Sequence, residues 1–226
     1  MDVEVDNILA AAHELKQPLV DLRQLALAFD DLDDNNEKVR EKMISVSDRA
    51  IKQINDLIKL KHLQGGLFEM EPVGVRGVCD EVVREVDSLL HFNNRNLYIK
   101  YPRRIAPVLA NRELLKSIVY NFMLNALHYT SEETQSGLVV KSMRDEVKIE
   151  FRDYGPALPS DVWNEMRRGF IEKPKSIAMR PGTSGLGLFI ASRFSKYMNA
   201  EVGAIRHRDG TSFYVKMPIS QQVRLF

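Results

Sequence analysis

The chain has 226 residues, 44% of them hydrophobic, with 32 basic against 31 acidic side chains and a formal charge of +1. That length buries a real core in one large domain or two modest ones, and the balanced charge excludes a function resting on attraction to nucleic acid or to an anionic membrane surface. Cys79 is the only cysteine, which excludes an intramolecular disulfide and a cysteine-based zinc site, fits a reducing compartment, and predicts a buried structural thiol.

Val5, Ile8, Ala12, Leu15, Leu19, Leu22, Ala26 and Phe29 alternate three and four apart, the seam of a helix packed along its length. The spacing predicts a first helix from about Val3 to Leu32. The polar cluster "DDLDDNNE" interrupts it, and a second periodic stretch runs from Glu37 to about Leu63. Val39, Met43, Val46, Ala50, Leu57 and Leu60 form its stripe, and Ile44, Ile51, Ile54 and Ile58 widen that stripe. Two long helices joined by a short polar turn make an antiparallel hairpin, and so wide an apolar face is expected to be covered in a dimeric four-helix bundle. "QGG" at 64–66 ends the second helix and places a domain boundary, with residues 1–66 before it and 67–226 after it.

Beyond the boundary the pattern predicts a helix from about Val75 to Leu90 and strands around "NLYIKYP" and "APVLA". A helix over Arg112–Tyr129 follows, then strands at "GLVVKSM" and "EVKIEFRD" and a helix opening at Gly185. The last pair, "EVGAIRH" and "TSFYVKMP", is joined by "RDG", whose Asp-Gly step favours a tight hairpin. Helices and paired strands mix without regular βαβ alternation, so the expected class is α+β: a helical hairpin followed by an α/β sandwich, a mixed sheet with helices on one face.

Residues 11–19 read "AAHELKQPL". Pro18 inside a helix removes a donor and presses on the carbonyl of Glu14, at a cost of roughly 3 kcal/mol that something must offset. His13 follows seam residue Ala12, so it lies at the edge of the stripe, and a neutral imidazole there has a lone pair able to attack. A rim histidine bonded to water, beside a proline kink of no function, has the same signature. The run from His13 to Leu19 resembles the phosphoacceptor box of sensor histidine kinases, HE[LI][RK]xPL, at each defined position. The resemblance implies that His13 is phosphorylated and that Glu14 orients the ring and accepts its proton. Pro18 then loosens the helix beside the reactive ring.

A histidine that accepts phosphate needs a nucleotide site. "NFMLNALHYT", residues 121–130, resembles the family's asparagine box, NLLxNAxKYT. Asn121 and Asn125 are four apart on one helix face, and an amide oxygen suits magnesium, although two such asparagines are also ordinary polar-face residues. The resemblance implies that Asn125 binds the ion, that Asn121 supports the phosphate region and that Tyr129 packs over adenine; His128 stands where the family has lysine. "RDYGPALP", 152–159, resembles the first glycine box, DxGxG, with Ala157 in place of the second glycine. Asp153 there would accept a hydrogen bond from the adenine amino group beside Gly155; an isolated DxG also marks a plain turn. "GTSGLGLFIA", 182–191, resembles the second glycine box, with Gly182 one residue early and Thr183 and Ser184 before Gly185, Leu186 and Gly187. Glycines at a helix start let backbone amides approach phosphate oxygens. Between the boxes, Arg167, Arg168, Lys173, Lys175 and Arg180 read as a lid over the triphosphate, or equally as a solvated basic loop. "VLANRELL" resembles the family's approach to the asparagine box, VxxDxxxL. His62, His91 and His207 lack such company and are expected to be structural or surface residues.

Together these boxes imply a kinase core that moves the γ-phosphoryl group of ATP, with Mg2+, to His13 and onward to an aspartate of a response regulator receiver domain. They also imply a homodimer built through the hairpin. Gln17, one turn after His13, would position water for phosphatase activity. The alternative is a non-catalytic, nucleotide-binding dimeric scaffold, for which Ala157, Thr183 and His128 argue. No apolar run reaches the roughly eighteen residues of a membrane span, and "MDVEVDN" lacks the regions of a signal peptide. Since the chain starts inside the seam, it is expected to be the cytoplasmic portion of a longer protein, membrane-attached only through segments absent from it.

Overall fold

A computed structural model describes residues 18, 20–22, 24–25, 36–63, 66–92, 94–130, 134–156, 158, 160, 163–164 and 185–221. They fall into two units that divide between His62 and Leu63. In the first, Pro18 and residues 20–22 and 24–25 are helical, and helix α1 spans Asn36–His62. Lys59, Lys61 and His62 occupy its last turn, where cations offset the negative end of the helix dipole. Val46 and Ala50 are buried, whereas Ile44, Ile51, Ile54 and Ile58 are 41–56% exposed. The remainder of the expected first helix, and so the hairpin itself, lies outside the described residues.

The second unit runs β1 (Glu71–Val73), α2 (Val75–Phe92), β2 (Asn96–Lys100), β3 (Val108–Ala110), α3 (Arg112–Tyr129), β4 (Gln135–Ser142), β5 (Glu146–Asp153), α4 (Leu186–Tyr197), β6 (Glu201–His207) and β7 (Gly210–Pro218). The main sheet has the order β2-β4-β5-β7-β6. Strands β2 and β4 are parallel and the other pairs antiparallel, so the sheet is mixed, as the irregular alternation of elements implied. Strand β1, which the sequence pattern did not flag, pairs with β3 in a separate two-stranded sheet. With three residues and Pro72 at its centre it has no readable alternation, and a two-stranded sheet is all edge, where proline is tolerated.

Burial alternates strictly along β5. Val147, Ile149, Phe151 and Asp153 face inward, while Glu146, Lys148, Glu150 and Arg152 face the open side. The inward face meets α3, where the Phe122 ring lies 5.9 Å from those of both Phe151 and Phe213. Helix α4 packs against α3 and β6, and α2 against α3. Arg112 and Lys116 of α3 reach Glu81 of α2 at 2.7 and 2.5 Å, and Lys116 also pairs with Glu85. Cys79 is fully buried and unpaired with another cysteine, and burial pushes its thiol up to about 12. His62 and His91 are exposed, and His207 bonds to Ser212 at 2.9 Å. No helix among the described residues is long and apolar enough to cross a membrane.

Candidate functional site

Helix α3 begins at a sequence-encoded cap: Asn111 is extended, and its side chain accepts from the Leu114 amide at 3.1 Å. It ends at Thr130, whose hydroxyl donates to the Ala126 carbonyl at 2.8 Å and accepts from Ser136 Oγ at 2.9 Å and from the Tyr154 amide at 3.2 Å. One buried hydroxyl thus joins the end of α3, the start of β4 and the turn after β5. A buried polar hub whose bonds are all made is rigid. Arg95 adds a hydrogen bond to the Thr130 carbonyl.

Asn121 is buried on α3, and its amide nitrogen donates to the Ser117 carbonyl at 2.9 Å. Its oxygen faces α4, since a Cβ added to Gly187 would lie 2.9 Å from Asn121 Oδ1. Asn125, one turn on, is half-exposed, as is Tyr129, and His128 is exposed. The His128 and Tyr129 rings meet edge to face, with centroids 5.0 Å apart.

Asp153 closes β5 and is fully buried. Its Oδ1 accepts from the Gly155 amide at 3.1 Å and the Thr211 amide at 3.2 Å. Gly155 passes so close to the end of α3 that a Cβ there would overlap the Tyr129 carbonyl. Its glycine is therefore required by proximity. Gly185 differs: it caps α4 with φ 74° and ψ −5°, left-handed angles that cost only glycine nothing. Behind it Leu186 and Leu188 are buried and fix the helix start, whose first-turn amides point away from the helix body.

Three separated segments therefore meet along one helix, Gly187 at Asn121 and Gly155 at Tyr129, with Asp153 bonded to Thr211 across the strands. From Asn121 to Tyr129 the helix rises roughly 12 Å, with Asn125 midway. That span suits an elongated ligand with a hydrogen-bond donor for the carboxylate at one end and anionic groups for the helix start at the other. Thr130, Ser136 and Thr211 were not among the residues read from sequence. Thr130 lies inside the quoted asparagine box and Thr211 directly follows the tight turn, but only tertiary pairing distinguishes them. His13, Glu14, Gln17, Ala157, Gly182, Thr183, Ser184 and the basic stretch between the glycine boxes lie outside the described residues.

The family model described as histidine kinase-, DNA gyrase B- and HSP90-like ATPase matches residues 110–221. The adaptive-response sensory kinase SasA of Prochlorococcus marinus is 25% identical over 98% of this chain and 60% of its own length. The chain spans between 19% and 60% of the length of the curated relatives it matches. Among solved structures, full-length ShkA in complex with AMPPNP aligns with a TM-score of 0.61 at 20% identity, over 96% of this chain and 44% of that one. Histidine kinase ThkA in complex with the response regulator protein TrrA aligns with a TM-score of 0.59 at 15% identity, over 94% of this chain and 61% of that one. At such identities the structural likeness speaks for the fold.

Proposed function

We propose that the chain carries the ATP-binding core of a sensor histidine kinase and that it transfers the γ-phosphoryl group of Mg·ATP to His13 and then to an aspartate of a response regulator receiver domain. The observation that supports this reading most is the meeting of Asn121 with Gly187 and of Tyr129 with Gly155 on one helix, beside the buried carboxylate of Asp153. Residues 1–66 are the acceptor hairpin and 67–226 the catalytic domain.

The adenine amino group donates to Asp153, and Tyr129 lies against the base. Amides of Gly185, Leu186 and Gly187, with Gly182, Thr183 and Ser184 leading into them, hold the phosphates; Asn121 braces that end and His128 flanks it. Asn125, whose amide oxygen is a hard ligand, would hold magnesium that arrives with the phosphates. Bound there, the ion supplies charge neutralisation at the triphosphate. A neutral ring nitrogen of His13 attacks the γ-phosphorus. The N–P bond forms as the bond to the bridging oxygen breaks, ADP leaves with the electron pair, and Glu14 takes the proton of the other nitrogen. The rate derives from positioning and electrostatics.

The ThkA complex with TrrA supports a response regulator as the partner. The exposed Ile44, Ile51, Ile54 and Ile58 support a homodimer through the hairpin. Gln17 positions water for hydrolysis of the phosphorylated regulator, and the chain acts as the cytoplasmic portion of a longer sensor. Incubation with γ-labelled ATP tests the reaction. Label that survives alkali, is lost in acid and does not form in His13→Gln is expected. Nucleotide binding without label would replace the kinase by a binding scaffold.

A further inference from the structure

We propose that Arg152 is a positioning residue for base recognition: from the open face of the sheet its guanidinium ties the ends of β5 and β7 together and so holds the Asp153 carboxylate, on the opposite face, in line for the adenine amino group. The inference rests on the reading of Asp153 as the contact to the base. Consecutive strand residues point to opposite faces, so Arg152 cannot touch the nucleotide from where it sits. What it touches is the frame that holds Asp153. Its Nη1 donates to the Asp153 carbonyl and lies 3.5 Å from the Thr211 carbonyl. Its Nη2 reaches Asp209 Oδ1 at 2.5 Å, and the guanidinium lies 4.3 Å from the centre of the Tyr154 ring.

Thr211 supplies one of the two amides on the Asp153 carboxylate, and Tyr154 is the residue between Asp153 and Gly155, which supplies the other. The guanidinium therefore grips both routes by which the carboxylate is aligned. Gly210 is a second, independent sign that this corner is closed on purpose. It has φ +138°, and a Cβ there would overlap the Asp153 carbonyl and lie 2.6 Å from Arg152 Nη1. The backbone turn is shaped around the guanidinium, in a conformation other residues rarely adopt.

Stability alone does not account for the arrangement. The Asp209 side chain is 66% exposed while that of Arg152 is 11% exposed, and an ion pair with one partner in water adds little to stability. A planar fork shared among two carbonyls, a carboxylate and an aromatic face instead fixes geometry, which a lysine could not reproduce.

Calorimetric titration of the full chain with Mg·ATP and with Mg·ITP, whose base has a carbonyl in place of the 6-amino group, separates positioning from general damage. The wild type is expected to prefer ATP. Arg152→Leu should weaken ATP about tenfold, the value of one charged hydrogen bond, and leave ITP within about twofold. Asp209→Asn, at an exposed position that does not threaten folding, should move ATP alone in the same direction by about threefold. Equal losses for both nucleotides, or none for either, would overturn the role of Arg152. The parent reading fails separately: if Asp153→Asn keeps the wild-type preference for ATP, the carboxylate does not contact the base, and the inference falls with it.

Discussion

Helices α1 and α3 are both legible as helices in the sequence, yet their surroundings differ. Helix α3 buries 11 of its 18 residues, among them the polar Ser117 and Asn121, so it is walled in by α2, α4 and the sheet. Asn125, His128 and Tyr129 lie near its C-terminal end and are not buried. Helix α1 keeps four isoleucines out, and three of them, Ile44, Ile51 and Ile58, are seven apart, the repeat of a helix that expects another helix. Periodicity marks a face to be covered, while the finished fold decides whether the cover is the chain's own core or a second molecule.

Removing the cover of α3 should have the largest effect. Phe122→Ala takes away the ring shared by Phe151 and Phe213 and should destabilise the second unit by about 3–5 kcal/mol in urea unfolding. Ile51→Asn should cost dimerisation about 1.5–3 kcal/mol per copy, seen as dissociation in sedimentation, and leave ATP affinity unchanged. If it instead unfolds the second unit, the contrast between the helices is wrong. Gly187→Ala, whose Cβ would meet Asn121 Oδ1 at 2.9 Å, should lower stability by about 1–2 kcal/mol and weaken ATP, because α3 and α4 must part slightly.

The smallest effect belongs to the open face of the sheet. Burial raises the pKa of Glu150, but hydrogen bonds from Lys141 and Lys148 outweigh it and hold the carboxyl below its ordinary 4.5. A group held below its unfolded value stabilises the fold above that value and stops doing so as pH falls through the folded one. Glu150→Gln should therefore flatten, by under ~1 kcal/mol, the stability loss that sets in as pH falls below the ordinary carboxyl value of 4.5.

Much of this was legible in the residues. The limits of α3 match the helix expected over Arg112–Tyr129, and β5 matches the strand expected at "EVKIEFRD". The asparagine and glycine boxes pointed to Asn121, Tyr129, Asp153, Gly155, Gly185 and Gly187, which the fold gathers along α3 and at the end of β5. The reasons for the glycines were less legible: Gly185 needs its left-handed angles, whereas Gly155 and Gly187 are small because a carbonyl and an amide lie against them. Thr130, Ser136, Thr211 and Arg152 could not be found from pattern, because a polar residue's partner across 6 to 59 positions is set by strand register and helix docking. Strand β1 is too short to show a period.

The proposed ATP site is assembled from α3, the end of β5 and the start of α4. A crystal structure of the full chain with magnesium and a non-hydrolysable ATP analogue tests it most directly. The predicted result is the adenine amino group within hydrogen-bond distance of the Asp153 carboxylate and the phosphates against the amides of Gly185–Gly187; a nucleotide bound elsewhere, or a base turned away from Asp153, would contradict it.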